Sequence, residues 1–192
     1  MPQVAKISLV IFMTLLFLGG IHAQDRSIGA TFSYAGVGIS FQNNVNEDTF
    51  IEVQLRAETA HLFGSLCETP GVTASATWNM IFSEMTSPDG NRICFFAGPG
   101  ITAGVADDIP YHKGIVFGLK GRVGCECRFQ RNITVSACVS PVLGAHVTMK
   151  DGMPCMLFYK TGLISAVMPE IGIRYNFCNE EDFSHIIDTH FI

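Results

Sequence analysis

The chain has 192 residues, about one domain's worth, with a formal net charge of −5 and only 15% charged residues. No basic cluster occurs, which excludes nucleic acid as an expected partner. Mean hydropathy is positive at +0.32, yet beyond residue 23 no apolar run is long enough for a membrane helix, so the chain reads as either an unusually apolar soluble β protein or a membrane barrel.

Residues 1–23 carry one early charge, Lys6, an apolar run over 7–18, a Gly-Gly break and the small residue Ala23. That is a signal-peptide pattern, and it starts the mature chain at Gln24. Over 27–42 the apolar parity flips: Ile28, Ala30, Phe32 and Tyr34 are even, whereas Val37, Ile39 and Phe41 are odd. A tight turn at Ala35-Gly36 would split this segment into two short strands; one long strand with a β-bulge gives the same flip.

From here the alternation is regular, and a period of two means strands. Over 50–63, Ile51, Val53, Leu55 and Ala57 oppose Glu52, Gln54, Arg56 and Glu58. Over 72–85, Val72, Ala74, Ala76, Trp78 and Met80 oppose Thr73, Ser75, Thr77 and Asn79, and over 92–105 Phe95, Ala97, Ile101 and Ala103 oppose Cys94, Gly98, Gly100 and Thr102. Pro99 and Pro141 fall within strands, where each costs a ladder bond, and are read as bulges. The stretches 113–129 and 133–149 form a long hairpin around 130–132, with Ile115, Phe117, Leu119 and Val123 on one face and Lys120, Arg122, Glu126 and Arg128 on the other. Residues 155–162 fit strand and helix equally; the preferred reading leaves 158–168 as a loop with a helical turn. The last strand, 169–177, sets Ile171, Ile173, Tyr175 and Phe177 against Glu170, Gly172, Arg174 and Asn176.

Short turns at 43–48, 87–91 and 130–132 alternate with longer connections at 64–70, 106–112 and 150–168, as they do in outer-membrane barrels. With the split at Ala35-Gly36 the strand number is eight. The expected fold is therefore all-β, a single up-and-down antiparallel transmembrane barrel over 24–177, preceded by the signal peptide and followed by a polar tail, 178–192. Glycine and charges of both signs crowd the polar face, which suits a narrow lumen. Aromatic residues (Phe63, Phe129, Tyr175 and Phe177, with Trp78) sit towards strand ends on the apolar face, as interfacial girdles do.

The ending Gly172, Arg174, Tyr175, Phe177 within Pro-Glu-Ile-Gly-Ile-Arg-Tyr-Asn-Phe resembles the C-terminal G-x-R-Y-x-F strand of small Gram-negative outer-membrane β-barrel proteins. The resemblance extends over residues 27–177. It implies that Gly172, Arg174, Tyr175 and Phe177 act as an assembly signal read by the barrel-assembly machinery, with outer-membrane lipid as the other partner and a monomeric state. The acidic tail departs from the pattern, because it continues past Phe177.

Candidate site residues are few. Glu52, Arg56, Glu58, Lys120, Arg122, Glu126, Arg128 and Arg174 should project into the lumen as a polar core of paired charges, since an eight-stranded barrel is just wide enough to be filled by side chains. Ser136, Ser140 and His146 share a face and raise a lipid-modifying enzyme as an alternative, but Ser and His six apart on one strand are too distant for direct proton transfer. Among seven cysteines, Cys67 and Cys155 fall in longer loops and make a candidate disulfide. Cys94 and Cys138 point inward on strands separated by a third. Cys125 and Cys127 share the apolar face, where a lipid-facing reading is preferred to a metal pair. No metal, cofactor or catalysis is expected. The function implied is structural, adhesive or small-solute. A secreted, lipocalin-like soluble barrel is the other alternative, and it would need the apolar face turned inward.

Overall fold

In a computed structural model of the chain, residues 26–34, 36–58, 71–108, 113–129, 132–150, 153–164 and 167–177 are described. The signal-peptide segment, the tail and Cys67 lie outside them. The strands are β1 (Arg26–Ser33), β2 (Gly36–Asn46), β3 (Thr49–Glu58), β4 (Gly71–Thr86), β5 (Arg92–Ala106), β6 (Gly114–Phe129), β7 (Ile133–Val139), β8 (Val142–Lys150), β9 (Met153–Phe158) and β10 (Glu170–Phe177), with one helical turn, α1 (Thr161–Ile164), before β10.

Each strand pairs antiparallel with its sequence neighbour from β1 to β7, β10 pairs with both β7 and β1, and the ring closes. Pro141 cannot donate to the ladder, and it divides one long strand into β7 and β8. Gly121 N–H still donates to Pro141 C=O (2.9 Å) across the break, and β8 continues along β6. β9 pairs with β8 only, so it occupies the position that β10 occupies beside β7. Counted around the ring, the barrel has eight strands.

The register sets the barrel's shape. From Ile115 on β6, hydrogen-bonded neighbours lead through Val105, Val72, Ala57, Val37, Phe32, Ile171 and Ala137 back to β6 at Cys125, ten residues along. With strands about 4.8 Å apart and about 3.3 Å of rise per residue, that stagger tilts them by roughly 40° around a barrel about 16 Å across.

Period two then assigns the faces. Val37, Ile39, Trp78, Ile101, Leu119, Ile133, Leu143, Ile173 and Phe177 point outward and are exposed, while Glu52, Lys120, Arg122, Glu126, Glu170 and Arg174 point inward and are buried. An apolar exterior around a polar interior is the arrangement of a transmembrane barrel; the soluble alternative requires the reverse. Phe129, Tyr175, Phe177 and Trp78 lie on the outer wall, with the Tyr175 and Phe177 rings edge to face at 5.4 Å. Phe63 lies outside the described residues.

The parity flip is a turn. β1 ends at Ser33 and β2 begins at Gly36, where Ser33 Oγ donates to Gly36 C=O (3.2 Å) and accepts from Gly36 N–H (3.3 Å). Three expectations differ from the structure. Met153–Phe158 is a strand, since β8 runs past the ring and offers it an edge. Pro99 makes no bulge: β5 stays in register on both sides and forgoes pairing with β4 only around Pro99. Pro141 likewise introduces a break, while the register shifts fall at Asn44/Asn46 and Ile81/Ser83.

Between β9 and β10 the chain leaves the wall and straps the adjacent rim. Tyr159 N–H donates to Gly144 C=O (3.0 Å), and the Asp108 carboxylate, just past β5, accepts from Lys160 N–H (3.0 Å), Thr161 N–H (2.9 Å) and Thr161 Oγ1 (2.9 Å). The turn predicted within 158–168 is α1, and Asp108 is what holds its start.

Candidate functional site

The lumen holds two apolar clusters and a charged network. At the rim carrying the β2–β3, β4–β5 and β6–β7 turns, Phe50 and Phe96 pack edge to face (5.2 Å) with Cys138 and Ile81. At the opposite rim Ala106, Val116, Val142 and Tyr159 form a second apolar cluster. Burial pushes the Tyr159 phenol well above its ordinary range, with Glu58 and Asp108 adding to the effect. The charged layer overlaps the first cluster, with Arg122 against Phe96, and reaches the second, with Arg56 and Lys120 beside Tyr159.

That layer is one connected chain of ion pairs. Glu126 accepts from Arg128 Nε (2.8 Å) and Arg174 Nη2 (2.8 Å). Arg174 Nη1 donates to Glu52 Oε2 (2.9 Å), and Glu52 also pairs with Arg122. Arg122 Nη2 lies 3.7 Å from Glu170, which pairs with Arg56 and accepts from Gln54 Nε2 (3.0 Å). Gln54 completes the chain, its Nε2 donating to Thr31 Oγ1 (2.7 Å) and its Oε1 accepting from Lys120 Nζ (2.8 Å). Glu58 accepts from Thr73 Oγ1 (3.2 Å).

Small neighbours make room for these long side chains. Lys120 and Arg122 stand opposite Gly100 and Gly98 on β5. A Cβ at Gly98 would lie 1.9 Å from Trp78 C=O, so only glycine allows β4 and β5 this approach beside Arg122. The Arg122 guanidinium also sits 5.3 Å from the centre of the Phe96 ring, within cation–π range.

The structure thus gathers seven of the eight sequence-derived charges into one chain and sets Glu58 beside Thr73. Glu170 and Gln54 join as members that sequence reasoning had not singled out. Glu170 shares the parity of Gly172 and Arg174, and that phase is the signal that could have identified it. Gln54 shows only in three dimensions, as the neutral link between Glu170 and Lys120.

Other candidates fall elsewhere. Ser136, Ser140 and His146 all line the buried lumen, and His146 stacks on Tyr159 (6.4 Å) with Nε2 3.2 Å from Ala106 C=O; among the described residues it reaches neither serine. Cys94 and Cys138 face inward with β6 between their strands, whereas Cys125 and Cys127 take the outward parity of Val123 and Phe129. Cys155 lies on β9, and its candidate partner Cys67 is outside the described residues. On β10, Gly172 and Arg174 face the lumen and Tyr175 and Phe177 the exterior.

No protein-family model matches the chain, and no curated protein matches it. Two solved structures are similar to it. The N-terminal β-barrel domain of Pseudomonas aeruginosa OprF aligns at 12% identity over 81% of this chain and 98% of that one, with a TM-score of 0.46. Ail, the attachment invasion locus protein of Yersinia pestis, aligns at 11% identity over 81% of this chain and 100% of its own, with a TM-score of 0.34. The barrel and its faces rest on the chain's own register and burial.

Proposed function

We propose that this protein is an outer-membrane β-barrel of a Gram-negative bacterium, a non-catalytic anchor whose lumen is a structural plug and whose role is structural or adhesive. The observation that carries this reading is the pairing of an apolar outer wall with a buried ion-pair chain running across the interior. A pore needs an open path, and among the described residues the ion-pair chain crosses the interior, with a small cavity beside Lys120. That favours the anchoring role over solute passage. Gly172, Arg174, Tyr175 and Phe177 serve the barrel-assembly machinery, outer-membrane lipid covers the apolar wall, and the protein acts as a monomer. The short-turn rim faces the periplasm, and the strapped rim faces outward.

The test is fractionation of the expressed protein, followed by gel mobility in SDS with and without boiling and by conductance in planar bilayers. Recovery in outer membranes with a heat-modifiable band and no discrete current steps is the expected result. Recovery as a soluble protein overturns the membrane reading, and steady unitary currents overturn the plug.

A further inference from the structure

The lumenal chain, with Glu58 beside it, holds more cations than carboxylates: Arg56, Lys120, Arg122, Arg128 and Arg174 against Glu52, Glu58, Glu126 and Glu170. Each arginine is ion-paired. Lys120 is different. It is 5% exposed, and among the described residues its ammonium donates only to neutral acceptors, Gln54 Oε1 (2.8 Å) and Ser75 Oγ (3.1 Å). An ammonium has three N–H donors, so one is left over.

A cavity of about 30 Å³ lies beside it beneath Tyr159, with Arg56, Glu58, Ser75, Thr102 and Thr161 among its walls. That is roughly twice the space one water needs. A cation in a low-dielectric interior is costly without a counter-charge, and among the described residues Lys120 makes no ion pair. We propose that this cavity is a binding site for a small monovalent anion of chloride size, which accepts the third N–H of Lys120 and offsets the excess positive charge. Ser75 and Thr102 stand in the wall with their hydroxyls already donating to Gln54 Oε1 (3.5 Å) and Ala74 C=O (3.2 Å), which leaves the Lys120 ammonium as the donor that meets the anion. Glu58 sets the selectivity: with its carboxylate on the same wall, a doubly charged anion such as sulfate meets repulsion that a halide meets only half as strongly.

The experiment uses protein extracted from membranes, with bromide as the probe. Crystals grown in bromide should show an anomalous peak in contact with Lys120 Nζ, and crystals of Lys120→Met should lack it. In solution, replacing gluconate by bromide at constant ionic strength should raise the thermal midpoint by about 2–4 °C, sulfate should not substitute, and Lys120→Met should be insensitive. If Lys120→Met does not fold, the bromide map of the wild type decides the matter. A wild-type map with no bromide at Lys120, or identical midpoints in bromide and gluconate, overturns the site.

Discussion

Replacing Arg174 with methionine should be the most damaging single change in the lumen. The side chain is 1% exposed and holds Glu52 Oε2 at 2.9 Å and Glu126 Oε2 at 2.8 Å. Methionine keeps much of the volume and removes both bonds. Breaking a buried ion pair by deleting one partner costs about 3–5 kcal/mol, because the remaining charge stays desolvated. Here each carboxylate keeps a second arginine, Arg122 for Glu52 and Arg128 for Glu126, so the loss should fall near the lower end, about 3 kcal/mol. Arg92→Met is the control, since the Arg92–Glu84 pair is largely exposed and such pairs contribute roughly 0–1 kcal/mol. Urea unfolding in phospholipid vesicles, followed by emission of Trp78, the single tryptophan, and by loss of the heat-modifiable band, measures both. Adding Glu126→Gln to Arg174→Met should recover part of the loss, a direct reading of the coupling. If Arg174→Met is no more harmful than Arg92→Met, the lumenal chain does not hold the barrel together.

Gly98→Ala should destabilise by about 1–3 kcal/mol or block assembly, because the added methyl meets Trp78 C=O; the folded yield in vesicles measures this. Asp108→Ala removes three hydrogen bonds from the strap, so amide exchange should accelerate at Lys160 and Thr161 while β1 to β8 stay protected. Above pH 10 the unfolded chain can lose the Tyr159 proton while the folded one, with its pKa raised by burial, retains it. Stability contributed by that protonated phenol is intact below about 10 and should fall by about 1.4 kcal/mol per pH unit above it; Tyr159→Phe should flatten that slope. Trp78, exposed on the outer wall, should be quenched by lipids brominated in their acyl chains, and an unquenched Trp78 in refolded protein would contradict the outward face.

Period two made the barrel readable, because every strand has one face in lipid-like surroundings and one in the lumen, and that contrast is written residue by residue. The turn before Gly36 was legible for the same reason: a flip in parity needs a turn or a bulge. β9 was not, since 153–158 alternates weakly and pairs on one side only, leaving little pressure on its second face. The charged side chains could be assigned to the lumen, but the partners could not. Which carboxylate meets Arg122 depends on the ten-residue stagger of the ring, and stagger is a property of closure that no single strand encodes. The Asp108 anchor was hidden for a similar reason, as it links positions 52 and 53 residues apart through backbone N–H groups common to every sequence.

The ring closes through a single seam, Arg26–Ser33 against Glu170–Phe177. The first strand to leave the ribosome therefore waits for the last, and its partner arrives with nearly the whole domain already made. Such long-range pairing is slow, and until it forms β1 and β10 are open edges that invite pairing with other chains. A message cut short before Glu170 would release a ribbon whose β1 and β7 margins stay open, with Arg56 deprived of its ion-pair partner and Glu52 and Glu126 left with Arg122 and Arg128 alone. Whether the upstream strands can close into a ring therefore rests on the last eight paired residues of the barrel.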